Sequence, residues 1–426
     1  MRNLLEFLDN SPVNFLAANT VCDELDAAGF SRLDPADHWD LEADGKYYIT
    51  KNGSAVFAFI VGTDPLAGFK IISAHSDSPG FRVKPNAAMK SAGEAIRLNT
   101  EVYGGPILYT WFDRPLSLAG RVILRSANPL APDTRLCHIR RPIMTIPHLA
   151  IHFNRAVNDG NPLSKQKDML PVIALTDSDK DISDFVTEIV SAELDADPRD
   201  ILDFDLSLFD TTPAGLVGLN EEFVCSGRLD DLSMVHAALQ ALTSTAAQSS
   251  AMTRVIAIFD NEETGSGTKQ GAASPILADL LQRIVMSAGA DTETYLRAIS
   301  RSFMVSADNA HGIHPNYPEK QDPTNHPRLG GGPVIKMNAN CKYMTDAESA
   351  AVFRSICEQA GVPFQYFVNH SDVAGGSTLG NILTSQIPLR GVDMGAALWA
   401  MHSVRETASV ADHEYTIRAF STFYSL

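Results

Sequence analysis

A short apolar run that ends in two adjacent glutamates constrains this chain more than any other feature. Residues 255–259 read Val-Ile-Ala-Ile-Phe, and Glu262 and Glu263 follow shortly before Gly265. Such a run predicts a buried strand that delivers acids to the rim of an α/β sheet, where these folds keep their active sites. Two neighbouring carboxylates repel each other, so their pairing needs a reason. One explanation is that one carboxylate binds a metal ion and the other stays free as a base. The alternative is a solvated turn after a strand.

The length of the chain and its pattern of strand-like and helix-like segments predict two domains. A chain of 426 residues exceeds one ordinary hydrophobic core. Strand-like and helix-like patterns alternate near both ends, whereas short β-like runs mixed with Pro, Gly and Asp fill the middle. We therefore expect an α/β fold with a mixed sheet flanked by helices, formed by residues 1–86 and 206–426. An inserted β-rich domain is expected over 87–205.

Individual elements follow from periodicity and from turn residues. Helices are expected in the first 30 residues, where Ser11-Pro12 marks a second start and Gly29 an end. Further helices are expected at 231–244, 347–360 and 413–424, and strands at 46–51, 55–61, 70–74 and 255–259.

Charge and cysteine content exclude several classes of protein. The net charge of −17 argues against binding to nucleic acid or to anionic membrane surfaces. No apolar run approaches the ~18 residues of a membrane span, and acids interrupt the first ten residues before any signal core can form. The five cysteines are odd in number and form no Cys-x-x-Cys pair, which argues against a disulfide framework or a thiolate zinc site. We expect a cytoplasmic protein, and none of its cysteines lies in a nucleophile-like context.

Four other segments place acids and histidines at the ends of apolar runs or at a helix start. They contribute His75 with Asp77, Asp230, Asp308 and His402. Each has an ordinary alternative, such as a helix cap for Asp230 and a core histidine for His402. Together with Glu262 and Glu263 they give the order His, Asp, Glu-Glu, Asp, His. Two ions, each with a histidine and an acid and sharing a bridging carboxylate, need about this set; its donors suit Zn²⁺, with Mn²⁺ or Co²⁺ as substitutes.

The same segments, with several others, resemble the aspartyl aminopeptidases, dinuclear zinc exopeptidases of the family that includes vacuolar aminopeptidase I. The resemblance runs nearly end to end. It is carried by residues 75–79, 82–85, 146–152, 228–230, 260–263, 306–308, 314–317, 332–336 and 400–406. It implies a metal-dependent aminopeptidase that releases N-terminal residues, preferentially Asp or Glu, from peptides.

The resemblance also implies a metal-binding role for five residues. His75 and Asp308 would be the terminal ligands of one ion, Glu263 and His402 those of the other, and Asp230 would bridge the two.

Further roles follow from the resemblance for residues beside the ions. Glu262 would be the general base for the bridging water, and Asp77 would orient His75. Lys336 would bind the acidic side chain of the substrate, whereas a lysine after a strand is otherwise an exposed surface residue. His152, or else His148, would reach into the active site of a neighbouring subunit, with His152 preferred. The inserted domain would make dimer contacts within a homo-oligomer, expected to be a dodecamer.

Two alternatives compete with an acidic-residue aminopeptidase. One is a hydrolase on the same scaffold with a different pocket, either an aminopeptidase that prefers neutral, leucine-like residues or a deacetylase. The other is a non-catalytic shell or cargo protein that has kept the fold, which the presence of every ligand and of Glu262 disfavours.

Overall fold

The computed structural model describes residues 1–177 and 181–426, and the chain divides into two compact units. The first unit comprises Met1–Asp77, Ala214–Met401 and Glu406–Leu426. The second comprises Ser78–Pro213 and His402–Arg405.

The helices and strands of the described residues are numbered in chain order. The α-helices are α1 (Arg2–Asn10), α2 (Asn14–Ala27), α3 (Phe185–Leu194), α4 (Leu229–Ser244), α5 (Ile276–Ser287), α6 (Thr292–Arg301), α7 (Ala347–Ala360), α8 (Leu379–Leu383) and α9 (Val410–Ser425). The first ten strands are β1 (Ser31–Arg32), β2 (Lys46–Lys51), β3 (Ala55–Ile60), β4 (Phe69–His75), β5 (Gly80–Ser91), β6 (Ala95–Tyr103), β7 (Leu116–Leu124), β8 (Asp133–His138), β9 (Val172–Leu175) and β10 (Ile201–Asp210). The others are β11 (Gly215–Val217), β12 (Phe223–Ser226), β13 (Thr253–Phe259), β14 (Phe303–Ala307), β15 (Ala310–His311), β16 (Val334–Met337), β17 (Gln365–Val368), β18 (Arg390–Gly395), β19 (Ala397–Trp399) and β20 (Glu406–Ser409).

A nine-stranded mixed sheet organises the first unit, in the order β1-β2-β3-β13-β4-β14-β18-β16-β17. Its central strands β13, β4, β14 and β18 run parallel to one another. Every residue of β4 and β13 is buried, as expected for parallel strands that are covered on both faces. The register pairs Phe259 with His75, so the carboxyl ends of β13 and β4 lie side by side.

Two hydrophobic cores lie on opposite faces of this sheet. Alternate residues of a strand point to opposite faces, and Ile72 of β4 belongs to one core while Ile71 belongs to the other. Helices α1, α2, α4, α7 and α9 contribute to the first core, and α5, α6 and α8 to the second. This gives the mixed α/β sheet flanked by helices that the sequence predicts. A separate five-stranded sheet, in the order β11-β12-β20-β19-β15, completes the unit.

The second unit is built on a six-stranded antiparallel sheet in the order β8-β7-β10-β5-β6-β9. The predicted insert, 87–205, lies inside the range of this unit, and its residues 178–180 lie outside the described part of the chain. The unit extends beyond those bounds because β5 and β10, at its two ends, pair with each other. This pairing joins strands that are far apart in the chain, so no local sequence pattern indicates it.

The predicted elements of the first unit are found with small shifts at their ends. The strand expected at 255–259 is β13, which is longer at its start, and the helices expected at 231–244 and 413–424 are α4 and α9, which start earlier. The helix expected at 347–360 is α7, whose first turn carries a reciprocal cap between Asp346 and Ser349. Within the described residues, no helix combines the length and apolar character needed to cross a bilayer.

Candidate metal centre

Four buried side chains meet beyond the ends of the central parallel strands. His75, Asp230, Asp231 and Asp308 each offer one potential ligand atom, and these atoms all lie within 4.8 Å of one another. An overlapping group of the same kind joins His75 to Glu262 and Glu263. The structure therefore brings together five of the predicted site residues, namely His75, Asp230, Asp308, Glu262 and Glu263.

The sheet explains why residues so distant in sequence converge. His75 is the last residue of β4, Asp308 follows β14, and the two glutamates follow β13. Because these three parallel strands are neighbours, their carboxyl ends form one edge of the sheet. Asp230 comes from the first turn of α4, where the backbone is not yet helical, and its N–H donates to Glu406 Oε2 at 3.0 Å.

The ring of His75 is oriented by the residue two positions further on. Its Nδ1 lies 3.0 Å from the backbone oxygen of Asp77 and 3.4 Å from Oδ1 of the same residue. A proton on Nδ1 satisfies this arrangement and leaves Nε2 as the ligand atom. Nε2 lies 3.7 Å from Oδ1 of Asp230.

Asp77 also holds the loop that carries the two glutamates. Its Oδ1 accepts a hydrogen bond from the N–H of Glu262 at 3.1 Å, and its Oδ2 accepts one from the N–H of Glu263 at 3.1 Å. The side chain of Asp77 is buried. One carboxylate thus fixes the backbone of both glutamates and also lies beside the His75 ring.

Asp231 is a member of the cluster that the sequence analysis missed. Its Oδ2 accepts a hydrogen bond from the N–H of His75 at 3.1 Å. Its Oδ1 is buried and has no hydrogen-bond partner among the described residues. The adjacent pair Asp230-Asp231 was the available signal, but acids at a helix start are ordinary capping residues.

Burial and mutual repulsion dominate the electrostatics of the cluster. Burial raises the pKa of Glu262 to about 8, with His75 opposing the shift and Asp308 adding to it. Burial also raises the pKa of Asp231 well above its ordinary value. For His75, burial opposes ionisation, but Asp231 and Asp77 raise its pKa well above the usual value.

The cluster therefore fits divalent cations. Carboxylate oxygens and an imidazole are donors that Zn²⁺, Mn²⁺ and Co²⁺ accept. A buried group of carboxylates is costly without a compensating cation, and the buried Oδ1 of Asp231 has no hydrogen-bond donor in the described chain.

Lys336 lies beside this cluster and is not the surface lysine that the simpler interpretation expects. Its ammonium donates to Oδ1 of Asp308 at 3.1 Å, and the residue is 3% exposed. The Tyr343 ring lies 5.7 Å from the same nitrogen. Burial opposes the charge, but Asp308 raises the pKa of Lys336 above its ordinary value.

The other two predicted site residues, His152 and His402, belong to the second unit. His402 Nδ1 lies 3.1 Å from the backbone oxygen of Gly105, which leaves Nε2 as its other ring nitrogen. His152 is exposed, whereas the ring of His148 packs against Phe112 with 4.5 Å between centroids. The roles of His152 and His402 in catalysis remain predictions.

The chain is similar over nearly its whole length to proteins of one peptidase family. A family model described as aminopeptidase I zinc metalloprotease (M18) matches residues 7–424. The chain is 50% identical over 425 residues to the M18 family aminopeptidase 2 of Clostridium novyi (strain NT), covering 99% of this chain and 98% of that protein. Among solved structures, it is similar to Ape4 in a cryo-EM complex with Nbr1, with a TM-score of 0.95, 36% identity, and coverage of 99% of this chain and 85% of that one. The fold also matches the S. cerevisiae mApe1 dodecamer, with a TM-score of 0.86, 24% identity and coverage of 100% and 96%.

Proposed function

The chain belongs to the M18 family of zinc metallo-aminopeptidases, and from that premise we propose that it releases N-terminal Asp or Glu from peptides with two bound divalent ions, most simply Zn²⁺. The observation that carries the proposal is the buried cluster of His75, Asp230 and Asp308 with Glu262 and Glu263 beside it. Mn²⁺ and Co²⁺ suit the same donors.

We assign the five ligand roles as follows. His75 and Asp308 are terminal ligands of one ion, Glu263 and His402 are terminal ligands of the other, and Asp230 bridges them. The spacing of ligand atoms around His75, Asp230 and Asp308 supports the first site. When bound, a pair of such ions would lower the pKa of a water and stabilise negative charge on the substrate carbonyl oxygen.

Glu262 is the proposed general base. It directly precedes Glu263, so the base lies next to a ligand, and the pair receives its fixed position from Asp77. The carboxylate of Glu262 would take the proton of the attacking water and hand it to the leaving amine. Burial raises the pKa of this group to about 8, so it holds a proton more readily than an exposed glutamate does.

Asp77 and Asp231 are positioning residues in this scheme. Asp77 fixes the ring of His75 so that Nε2 faces Asp230, and Asp231 fixes the backbone of the same histidine. Such outer partners hold ligands in place and keep their protonation state.

The proposed acidic preference depends on Lys336. A substrate carboxylate that enters a cluster of acids needs a nearby cation, and the Lys336 ammonium lies next to Asp308. The same contact leaves an alternative open, because an ammonium that is already paired with Asp308 binds a substrate carboxylate less strongly. An aminopeptidase that prefers neutral, leucine-like residues would keep every ligand and use Lys336 only as the partner of Asp308.

We also propose that the protein assembles into a homo-oligomer, with a dodecamer built from dimers as the expected form. The support is the fold match to the dodecameric mApe1 and a run of exposed apolar side chains in the second unit. Leu149 is 57% exposed, Ile151 46% and Phe153 81%, and they flank His152. Exposed apolar groups this close together mark an interaction surface, and an exposed His152 could reach a neighbouring subunit.

A cytoplasmic location completes the proposal. All five cysteines are free thiols in the structure, which suits a reducing compartment. Cell fractionation with a cytoplasmic and a secreted marker tests it; recovery with the secreted marker would contradict it.

One experiment tests the proposed activity. The protein is stripped with a chelator, reloaded with Zn²⁺, Mn²⁺ or Co²⁺, and assayed on Asp-, Glu-, Leu- and Ala-peptides, while elemental analysis counts the ions. We expect two ions per chain and the highest kcat/KM for Asp and Glu. A higher kcat/KM for Leu would favour the neutral-residue alternative, and no turnover with any ion would refute the aminopeptidase proposal.

A further inference from the structure

A cleft in the first unit contains none of the residues given roles above. Its volume is about 270 Å³, just under the usual size of small-molecule pockets, so it suits one or two amino-acid residues better than a large cofactor. Its lining includes His314, Lys320, Phe367, Asn369, His370 and Trp399.

The cleft is free of acids although the chain is strongly acidic. None of the described residues that line it is Asp or Glu, whereas the whole chain has a net charge of −17. Oδ2 of Asp372 lies 4.0 Å from Nδ1 of His370, and the Asp372 side chain is 93% exposed. Lys320 is therefore a cation with no carboxylate beside it among the described residues that line the cleft.

Two of the histidines that line the cleft, His314 and His370, each carry a hydrogen-bond donor. Nδ1 of His314 accepts from the N–H of Asn316 at 3.2 Å, and Nδ1 of His370 accepts from the N–H of Asp372 at 3.2 Å. An imidazole nitrogen that accepts from a backbone N–H carries no proton, so the proton of each neutral ring is on Nε2. The lining also holds a buried side-chain acceptor without a hydrogen-bond partner among the described residues, Oε1 of Gln321, and the two Nε2–H groups and the ammonium outnumber it.

The remaining lining residues fix the shape of the cleft and add a further donor. Oδ1 of Asn369 accepts from the Asn338 amide at 3.2 Å, which leaves the amide NH₂ of Asn369 as a donor. The indole N–H of Trp399 donates to the backbone oxygen of Ile313 at 2.8 Å and holds that ring in place. Phe367 is buried and contributes apolar surface to the lining. Polar donors together with apolar surface suit a short side chain that ends in a carboxylate.

The position of the cleft relates it to the substrate chain. His311 also lines it and lies three residues after Asp308, so at most about 10 Å separates their Cα atoms. Phe367 pairs in register with Lys336, about 5 Å away on the neighbouring strand. An extended peptide advances about 3.4 Å per residue, so a substrate held at the cluster by its first residue could reach the cleft with its second to fourth.

We propose that this cleft is a subsite for a carboxylate carried by the substrate beyond its first residue. The proposal rests on the proposed aminopeptidase function. The carboxylate is either an Asp or Glu side chain at the second or third position or the free C-terminus of a short peptide, since the donors of His314, His370 and Lys320 would bind both. The enzyme thereby selects acidic peptides at two places, with the second independent of Lys336.

The first arm of the test measures kcat/KM on matched tripeptides. The series Asp-Ala-Ala, Asp-Asp-Ala and Asp-Ala-Asp, and the same series beginning with Leu, are each made with a free and with an amidated C-terminus. In the wild-type protein we expect an acid at the second or third position to raise kcat/KM about ten-fold, the size expected for hydrogen bonds to a charged group. Loss of rate only on amidation would assign the subsite to the C-terminal carboxylate.

The second arm uses variants that remove the donors and keep the bulk. In His314→Phe/His370→Phe and in Lys320→Met, the ratio of kcat/KM for acidic over neutral downstream residues should fall about ten-fold. The control His326→Phe changes an exposed histidine outside the cleft and should leave this ratio unaltered. An unchanged ratio in both cleft variants together with an unchanged effect of C-terminal amidation, or a change confined to first-residue preference, would overturn the proposal.

A binding measurement separates this proposal from the proposed function. Calorimetry on the metal-depleted wild-type chain and on the double variant needs no turnover, and it uses Leu-Asp-Asp amide, Leu-Ala-Ala amide and Leu-Ala-Ala with a free C-terminus. We expect the wild-type chain, and not the double variant, to bind at least one of the two peptides that carry a downstream carboxylate more tightly than Leu-Ala-Ala amide. If the enzyme proves to prefer Leu at the first position, the acidic preference fails while the Leu series still tests the cleft; equal binding of all three peptides refutes the cleft alone.

Discussion

The carboxylate of Asp77 accepts a hydrogen bond at 3.1 Å from the backbone N–H of Glu262. The same carboxylate binds the next N–H along the chain, that of Glu263, and lies 3.4 Å from the ring of His75. A single buried acid at the end of β4 therefore couples the orientation of a proposed ligand to the loop after β13 that carries the proposed base.

Asp77→Asn should impair both metal binding and turnover without unfolding the protein. The amide keeps one acceptor but turns an NH₂ toward a backbone N–H and removes the charge beside His75. We expect a loss of 10–100-fold in metal affinity, measured by chelator competition, and a comparable fall in kcat. Asp279→Asn, at the exposed first turn of α5, is the matched control. Wild-type metal affinity in Asp77→Asn would show that metal binding does not depend on the contacts of the Asp77 carboxylate with His75 and the glutamate loop.

Glu262→Gln should abolish most turnover and leave the metal content unchanged. The amide has nearly the shape of the acid and keeps its backbone bond to Asp77, but it cannot accept a proton. We expect kcat to fall by about 10²–10⁴-fold, with ion stoichiometry and thermal unfolding close to those of the wild-type protein. Glu263→Gln is the informative comparison, because loss of a ligand should lower the ion content as well. A Glu262→Gln protein with near-normal kcat would exclude this residue as the base.

The sequence contains most of the information needed to predict the convergence of His75, Glu262 and Asp308. Each follows an apolar run, and the carboxyl ends of adjacent parallel strands meet at one edge of a sheet. That rule does not state which strands are adjacent, so the contact between β4, β13 and β14 becomes visible only in the fold.

Two other features of the site could not be predicted from local pattern. Asp231 has the sequence context of a helix-capping residue. The backbone at the start of α4 is not helical, however, and Asp231 lies in the cluster. Lys336 has the context of a surface lysine, yet its strand β16 places it under Asp308. In both cases tertiary packing decides the environment of a residue type whose usual place is the surface.

Lys336→Met should reduce the preference for acidic substrates and also destabilise the metal-free protein. Removing one member of a buried ion pair leaves Asp308 charged and unneutralised by its partner, which costs about 3–5 kcal/mol in free energy of unfolding. Denaturant unfolding of the chelated protein measures that cost, and the ratio of kcat/KM for Asp- over Leu-peptides measures specificity. Lys336→Arg should retain part of both, and Lys269→Met, at an exposed site, should change neither. An equal loss on both peptides would make Lys336 only the partner of Asp308.

Adding metal should stabilise the folded chain, because a site formed only in the native state links binding to folding. At 100–1,000 times Kd, one bound ion contributes about 2.7–4.1 kcal/mol to the free energy of unfolding. Thermal unfolding with and without Zn²⁺ after chelation measures the effect. His75→Ala should remove much of this gain, whereas the control His326→Ala, remote in sequence and exposed, should retain it. An identical metal-induced shift in His75→Ala would remove this residue from the ligand set.

The buried pair His236 and His413 should make the metal-free protein less stable in mild acid. Nδ1 of His236 lies 3.0 Å from Nε2 of His413. Burial lowers the pKa of His236 to about 4 and that of His413 well below its usual value. In the unfolded state both histidines have a pKa near 6.5, so between pH 6.5 and pH 4 the unfolded chain binds more protons than the folded one. The contribution of the neutral pair to the free energy of unfolding is therefore fully present above about pH 6.5. It falls as the pH drops toward 4.

For His236 alone the loss is on the order of 3 kcal/mol across that window. Denaturant unfolding of the chelated protein between pH 4 and 7 measures it, and His236→Gln/His413→Gln, which cannot titrate there, should show a shallower slope. His326→Gln, an exposed control, should keep the wild-type slope. Parallel pH profiles of the wild-type protein and the double variant would mean that the acid sensitivity arises from the carboxylates of the cluster and not from this pair.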